Sequence, residues 1–118
     1  MNTRLTLLTW HRETADELET ARAELAALQK EHSDAVENAK AAERDVRDLH
    51  AVLAGIDKPS RLITGRAHEL EAAQSTARGN RTRTAGLLAN ARSRVAELEL
   101  AHGQLDELLN PIAATEAA

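Results

Sequence analysis

Cysteine, phenylalanine and tyrosine are absent from this 118-residue chain, Trp10 is its only aromatic, and proline occurs only at 59 and 111. Without cysteine there is no disulfide and no thiolate metal site, and nothing marks a redox compartment. Without aromatics a rounded core cannot be filled. Alanine and leucine must do the packing, and side chains that small suit a thin seam between two helices. The longest N-terminal apolar run, Leu5-Thr-Leu-Leu-Thr-Trp10, falls far short of the ~20 residues a membrane span needs. It also lacks a cleavage-site pattern, so the expectation is a soluble protein, cytoplasmic or virion-associated, with no signal peptide, transmembrane segment or membrane partner. Glycine-rich phosphate loops, nucleophile motifs and metal-ligand clusters are missing as well.

Two heptad ladders are present. In the first, Leu18, Ala21, Leu25, Leu28, His32, Ala35, Ala39, Ala42, Val46, Leu49 and Leu53 recur at alternating spacings of three and four. In the second the same rhythm carries Ile63, Ala67, Leu70, Gln74, Ala77, Arg81, Thr84, Leu88, Ala91, Val95, Leu98, His102, Leu105, Leu109 and Ile112. Gly55-Ile-Asp-Lys-Pro-Ser60 separates them, and so short a connection forces the second helix back along the first. The fold class expected is all-α, an antiparallel coiled-coil hairpin forming one domain over 1–118. Helix one should span about 4–54, at ~1.5 Å per residue roughly 75 Å, and stop at Gly55. Helix two should span about 60–109, capped by Asp57 or Lys58 with Pro59 in its first turn. Asn110-Pro111 should end it, because the residue before a proline avoids helical angles, leaving 110–118 as a tail.

A hairpin must bring one ladder opposite the other at every layer, and this one does. Leu53 meets Ile63, Leu49 meets Ala67, Val46 meets Leu70, Ala39 meets Ala77, Leu28 meets Leu88, Ala21 meets Val95 and Leu18 meets Leu98. Each pair joins an a position to a d position, as antiparallel pairing requires, and large residues tend to face small ones. Flanking charges agree in part: Glu17 and Glu24 reach toward Arg94, Asp45 toward Arg66, and Arg22 toward Glu99. Exposed pairs contribute only ~0.2 to 1 kcal/mol each, so they select register more than they hold the fold.

The ladder is poorest at Arg78-Gly-Asn-Arg-Thr-Arg-Thr-Ala-Gly86, where two glycines cost ~1 kcal/mol each relative to alanine. A bend is expected there, and a full break near Gly79-Asn80 would convert the hairpin into a three-helix bundle. Glu31 and Asp34 lie opposite, within reach of an arginine whose stem passes the small seam residues. Histidines interrupt the ladder too. His11 and His102 fall in adjacent layers at the open end, with Asp106 their only obvious further ligand, so register-fixing polar layers are expected and no metal site. His32 facing Thr84 is a layer of the same kind, while His50 and His68 flank the loop-proximal seam as solvated groups.

Function is then read from shape and charge. Two helices make no concave, water-excluded pocket, and the acids stand at outward positions, so no enzyme, catalytic residue, cofactor or small-molecule substrate is expected. The open end instead holds more apolar surface than one seam can bury. Leu5, Leu8, Trp10, Leu100, Leu105, Leu108 and Ile112 are the expected partner-binding residues, and Trp10 and Leu108 share a g edge continued by Ala101, Leu87, Ala73 and Val52. Such a stripe packs against another helix. A structural or assembly protein that forms homo-oligomers or docks into a larger complex is the first expectation, and an adaptor gripping a partner helix along that edge is the second.

The third expectation is a nucleic-acid-associated helix pair. Residues 61–94 carry seven arginines against Glu69 and Glu71, and Arg78, Arg81, Arg83, Arg92 and Arg94 form a candidate basic patch. The net charge of -4 and the lack of stacking aromatics make nucleic acid the weakest of the three partners. Arginine in excess over lysine and abundant alanine are what a GC-rich genome produces, which favours a high-GC bacterium or its bacteriophage as the setting. Small helical-hairpin proteins exported by mycobacterial-type secretion systems share the size and composition. Their Trp-x-Gly turn has no counterpart at Gly55–Ser60, however, and their C-terminal tyrosine signal has none in a chain without Tyr.

Overall fold

The structure, a computed structural model, describes the backbone of residues 2–117 and the side chains of residues 2–110. Two helices account for almost all of it: α1 (Thr3–Leu53) and α2 (Arg61–Ala117), paired as an antiparallel hairpin. Neither helix is long and apolar enough to cross a membrane among the described residues.

Local chemistry sets three of the four helix ends. Asn2 caps α1, its Oδ1 accepting the Leu5 amide at 3.2 Å, which satisfies one of the donors a helix start leaves open. At the far end Gly55 does not adopt the left-handed conformation common after helices, since no glycine has positive φ. Instead α1 tightens as it stops, the Gly55 and Ile56 amides donating to Val52 and Leu53 carbonyls three residues back. The cap of α2 is Ser60, whose Oγ accepts the Ile63 amide at 3.3 Å. The expected cap at Asp57 or Lys58 is therefore corrected. Pro59 would tolerate a cap at Lys58, but the Ser60 hydroxyl supplies the acceptor, and the helix starts at Arg61.

Two further expectations are overturned along α2. The helix does not end at Leu109 but continues through Asn110-Pro111 to Ala117. Proline removes one amide donor and biases its predecessor, but the residues after it still supply their own helical bonds. Nor does the helix break at Gly79-Asn80, which excludes the three-helix bundle. Thr82 Oγ1 donates to the Arg78 carbonyl at 3.2 Å and Thr84 Oγ1 to the Asn80 carbonyl at 2.9 Å, so both threonines follow the helix without interrupting it. The two glycines weaken the segment by ~1 kcal/mol each, too little to melt a helix held along one side by a seam.

Residue contacts divide the chain into two compact units, Met1–Leu28 with Leu88–Ala118, and Gln29–Leu87. In the first, Leu18, Ala21, Val95 and Leu98 form a buried cluster with Leu25 packed against it; these are the layers the ladders pair. In the second, Ala35, Ala39, Val46, Ala67 and Thr84 are buried, and every other ladder position from His32 to Arg81 is at least partly covered. Ala39 is fully buried, as expected of a layer where two helices meet through small side chains.

Candidate functional site

Among the residues expected to bind a partner, the structure separates the seam from the surface. Leu5 is 61% exposed, Trp10 53%, Leu100 64% and Leu108 53%, with Leu8 also exposed. Leu105 is buried at 9% and is corrected to a core residue, because its d position turns it into the seam that Leu7 closes from α1. Ile112 lies outside the described side chains. The five exposed residues do not share one face. By register Trp10 and Leu108 stand on the g edge, Leu8 on the e edge, and Leu5 and Leu100 at b and f. In the second unit Val52, Leu62 and Leu87 are the exposed large hydrophobics of the helices.

The arginines expected to form a basic patch are mostly committed to carboxylates of α1. Arg78 Nε donates to Glu43 at 3.1 Å, with Arg81 at 3.9 Å from the same carboxylate. Arg83 reaches Glu31 at 3.0 Å, and in the other unit Arg94 reaches Glu17 at 3.3 Å. Arg92 alone of the five forms no ion pair among the described residues. A phosphate backbone would have to displace these carboxylates to gain the same contacts, so the patch offers little free positive charge. The expected Arg22–Glu99 pair is formed at 3.3 Å; Arg66 pairs with Glu69 on its own helix, not with Asp45.

Glu43 as a shared partner, and Glu71 between two histidines, escaped the sequence reading. His50 Nε2 lies 2.9 Å from Glu71 and His68 Nδ1 3.8 Å from its other oxygen. A signal was present. Glu43–Arg78 and His50–Glu71 join e positions one heptad apart on each helix, the stagger at which Arg22 meets Glu99, and extending that rule would have found both.

His32 and Thr84 form the polar layer the ladder implies. Thr84 Oγ1 lies 2.9 Å from His32 Nδ1 while bonding carbonyls of its own helix, so the most buried polar group of the seam is satisfied. Beside it opens a groove of about 460 Å³ whose lining includes Ala35, Ala73, Ala77, Glu31 and Arg83. Of its charged lining, Glu31 and Arg83 pair with one another, and Asp34 adds a further carboxylate.

The densest assembly of chemistry-bearing groups lies at the open end. The imidazoles of His11 and His102 stack with centroids 4.3 Å apart and planes tilted by 34°. Asp106 joins both: its Oδ1 is 2.6 Å from His11 Nε2, and its Oδ2 is 3.5 Å from His102 Nδ1. The sequence places His102 and Asp106 one turn apart on α2 and His11 across the seam on α1, and the hairpin brings the three together. No family model, curated protein or solved structure matches this chain significantly.

Proposed function

We propose that the protein is a non-enzymatic assembly element, a helical hairpin that associates with further copies of itself through the apolar residues left outside its open-end seam. The observation that carries this is the position of Trp10. The only aromatic of the chain is half exposed although the seam beside it closes without it, and Leu108 continues its edge. Burying the exposed half of a Trp and a Leu at an interface contributes roughly 1 kcal/mol or a little more each, and aromatic anchors are characteristic of interface centres. The charge pattern is compatible with the same reading: four of the five arginines of the candidate basic patch pair with carboxylates of α1.

Mass in solution tests it. Light scattering over a concentration series should give a multimer, and Trp10→Ser combined with Leu108→Ser should lower the mass while circular dichroism retains the parent's helicity. A monomer at every concentration would overturn self-association. It would favour the second reading, an adaptor that captures a partner helix along exposed side chains such as Leu87 and Val52. The bias toward arginine and alanine makes a GC-rich bacterium, or a phage particle assembled within one, the setting in which to look for the complex.

A further inference from the structure

We propose that His11, His102 and Asp106 form a binding site for a divalent first-row transition-metal cation, zinc being the probe of choice. One nitrogen of each imidazole and one carboxylate oxygen all lie within 4.8 Å of one another. Tetrahedral coordination with bonds near 2.0–2.1 Å sets such atoms ~3.4 Å apart, so a separation at the 4.8 Å limit must close by roughly 1.4 Å while the 2.6 Å His11–Asp106 pair opens by roughly 0.8 Å. Asp106, half exposed, has the most room to adjust, and His11 and His102 keep 30% and 28% of their side-chain surface open. Two imidazoles and a carboxylate suit a borderline cation, unlike the all-oxygen sets that hold calcium or magnesium. A set of three ligands leaves a fourth position for water, the arrangement of open zinc sites.

The arrangement also names what the cation replaces. Without metal, the N–H at Nε2 of His11 donates to ionised Asp106 across 2.6 Å, a short charge-assisted bond. On binding, the cation takes the place of that hydrogen and Nε2 presents its lone pair. The hydrogen leaves to solvent from an imidazolium, or is balanced by protonation at Nδ1 in a neutral ring. Binding therefore ties α1 to α2 inside one unit and competes with protons for the imidazoles. This site is independent of self-association, because all three ligands come from one chain.

A second group sharpens the test. His50, His68 and Glu71 offer the same ligand types around one carboxylate, but they are more exposed and His68 stands 3.8 Å off. Full-length protein stripped with a chelator is titrated calorimetrically with zinc chloride and melted with and without the metal. The expected result is one zinc per chain and a higher melting temperature when it is bound. His11→Ala, His102→Ala and Asp106→Asn should each weaken binding roughly tenfold or more, while His50→Ala leaves it unchanged. Asp106→Asn alters an exposed side chain and keeps the helix, so its effect reads ligand loss rather than unfolding. Absence of saturable binding, insensitivity to the three substitutions, or loss on His50→Ala would each overturn the proposal.

Discussion

At the scale of single residues the structure distinguishes positions that look alike in composition. Leu98 and Leu100 are two residues apart, yet Leu98 belongs to the buried cluster with Leu18, Ala21 and Val95 while Leu100 points outward. Leu98→Ala should therefore cost about 2–4 kcal/mol in chemical denaturation, from lost burial and an incompletely collapsed cavity. The matching change at Leu100 should stay within about 0.5 kcal/mol. Ala39 poses the opposite case. It is fully buried between the helices, and Ala39→Leu should destabilise by about 1–3 kcal/mol through overpacking, where the same replacement at exposed Ala73 should be nearly neutral. Burial was legible at this scale because a three-four spacing identifies the seam residue by residue. Leu105 stood both in the ladder and among the docking residues, and its burial bears out the ladder.

At the scale of elements, helix identity followed from the ladders, but helix ends required geometry. Both caps are short polar side chains, Asn2 and Ser60, accepting amides three residues ahead. Ser60→Ala should cost about 1 kcal/mol, seen as a lower denaturation midpoint with unchanged slope. The glycines of α2 give a contrary sign. A methyl group built on Gly79 or Gly86 meets nothing within 4 Å, and neither has positive φ. Gly79→Ala and Gly86→Ala should each stabilise by about 0.5–1 kcal/mol, measurable by thermal melting. Destabilisation instead would mean that these glycines serve a bend the helix makes in use. The alternative of a break near Gly79 and the expected stop at Pro111 shared one cause: local propensity weighs a residue against its neighbours in sequence, whereas a helix already docked along a seam tolerates a few kcal/mol of unfavourable residues.

For the whole molecule, the pairing of α1 with α2 was legible because each layer of one ladder finds a complementary layer in the other, and the e-position pairs Arg22–Glu99, Glu43–Arg78 and His50–Glu71 share one stagger. The histidine cluster was only half legible. Spacing placed His11 near His102, but the 2.6 Å bond that draws Asp106 from an e position into their company depends on rotamers that no periodicity specifies. The same limit hid Glu71 between His50 and His68. Both the proposed docking residues and the proposed metal ligands take their positions from the antiparallel pairing within the unit that contains them.

That pairing is most directly tested by a distance. The chain has no native cysteine, so Glu19→Cys and Glu97→Cys, at exposed positions of one layer, can carry a pair of spin labels, diluted into unlabelled protein so that only intramolecular separations register. With helix axes 8–10 Å apart, the labels should lie within about 25 Å. Separations beyond about 50 Å, approaching the ~100 Å expected if the two helices ran apart end to end, would contradict the hairpin and with it both the assembly surface and the metal site.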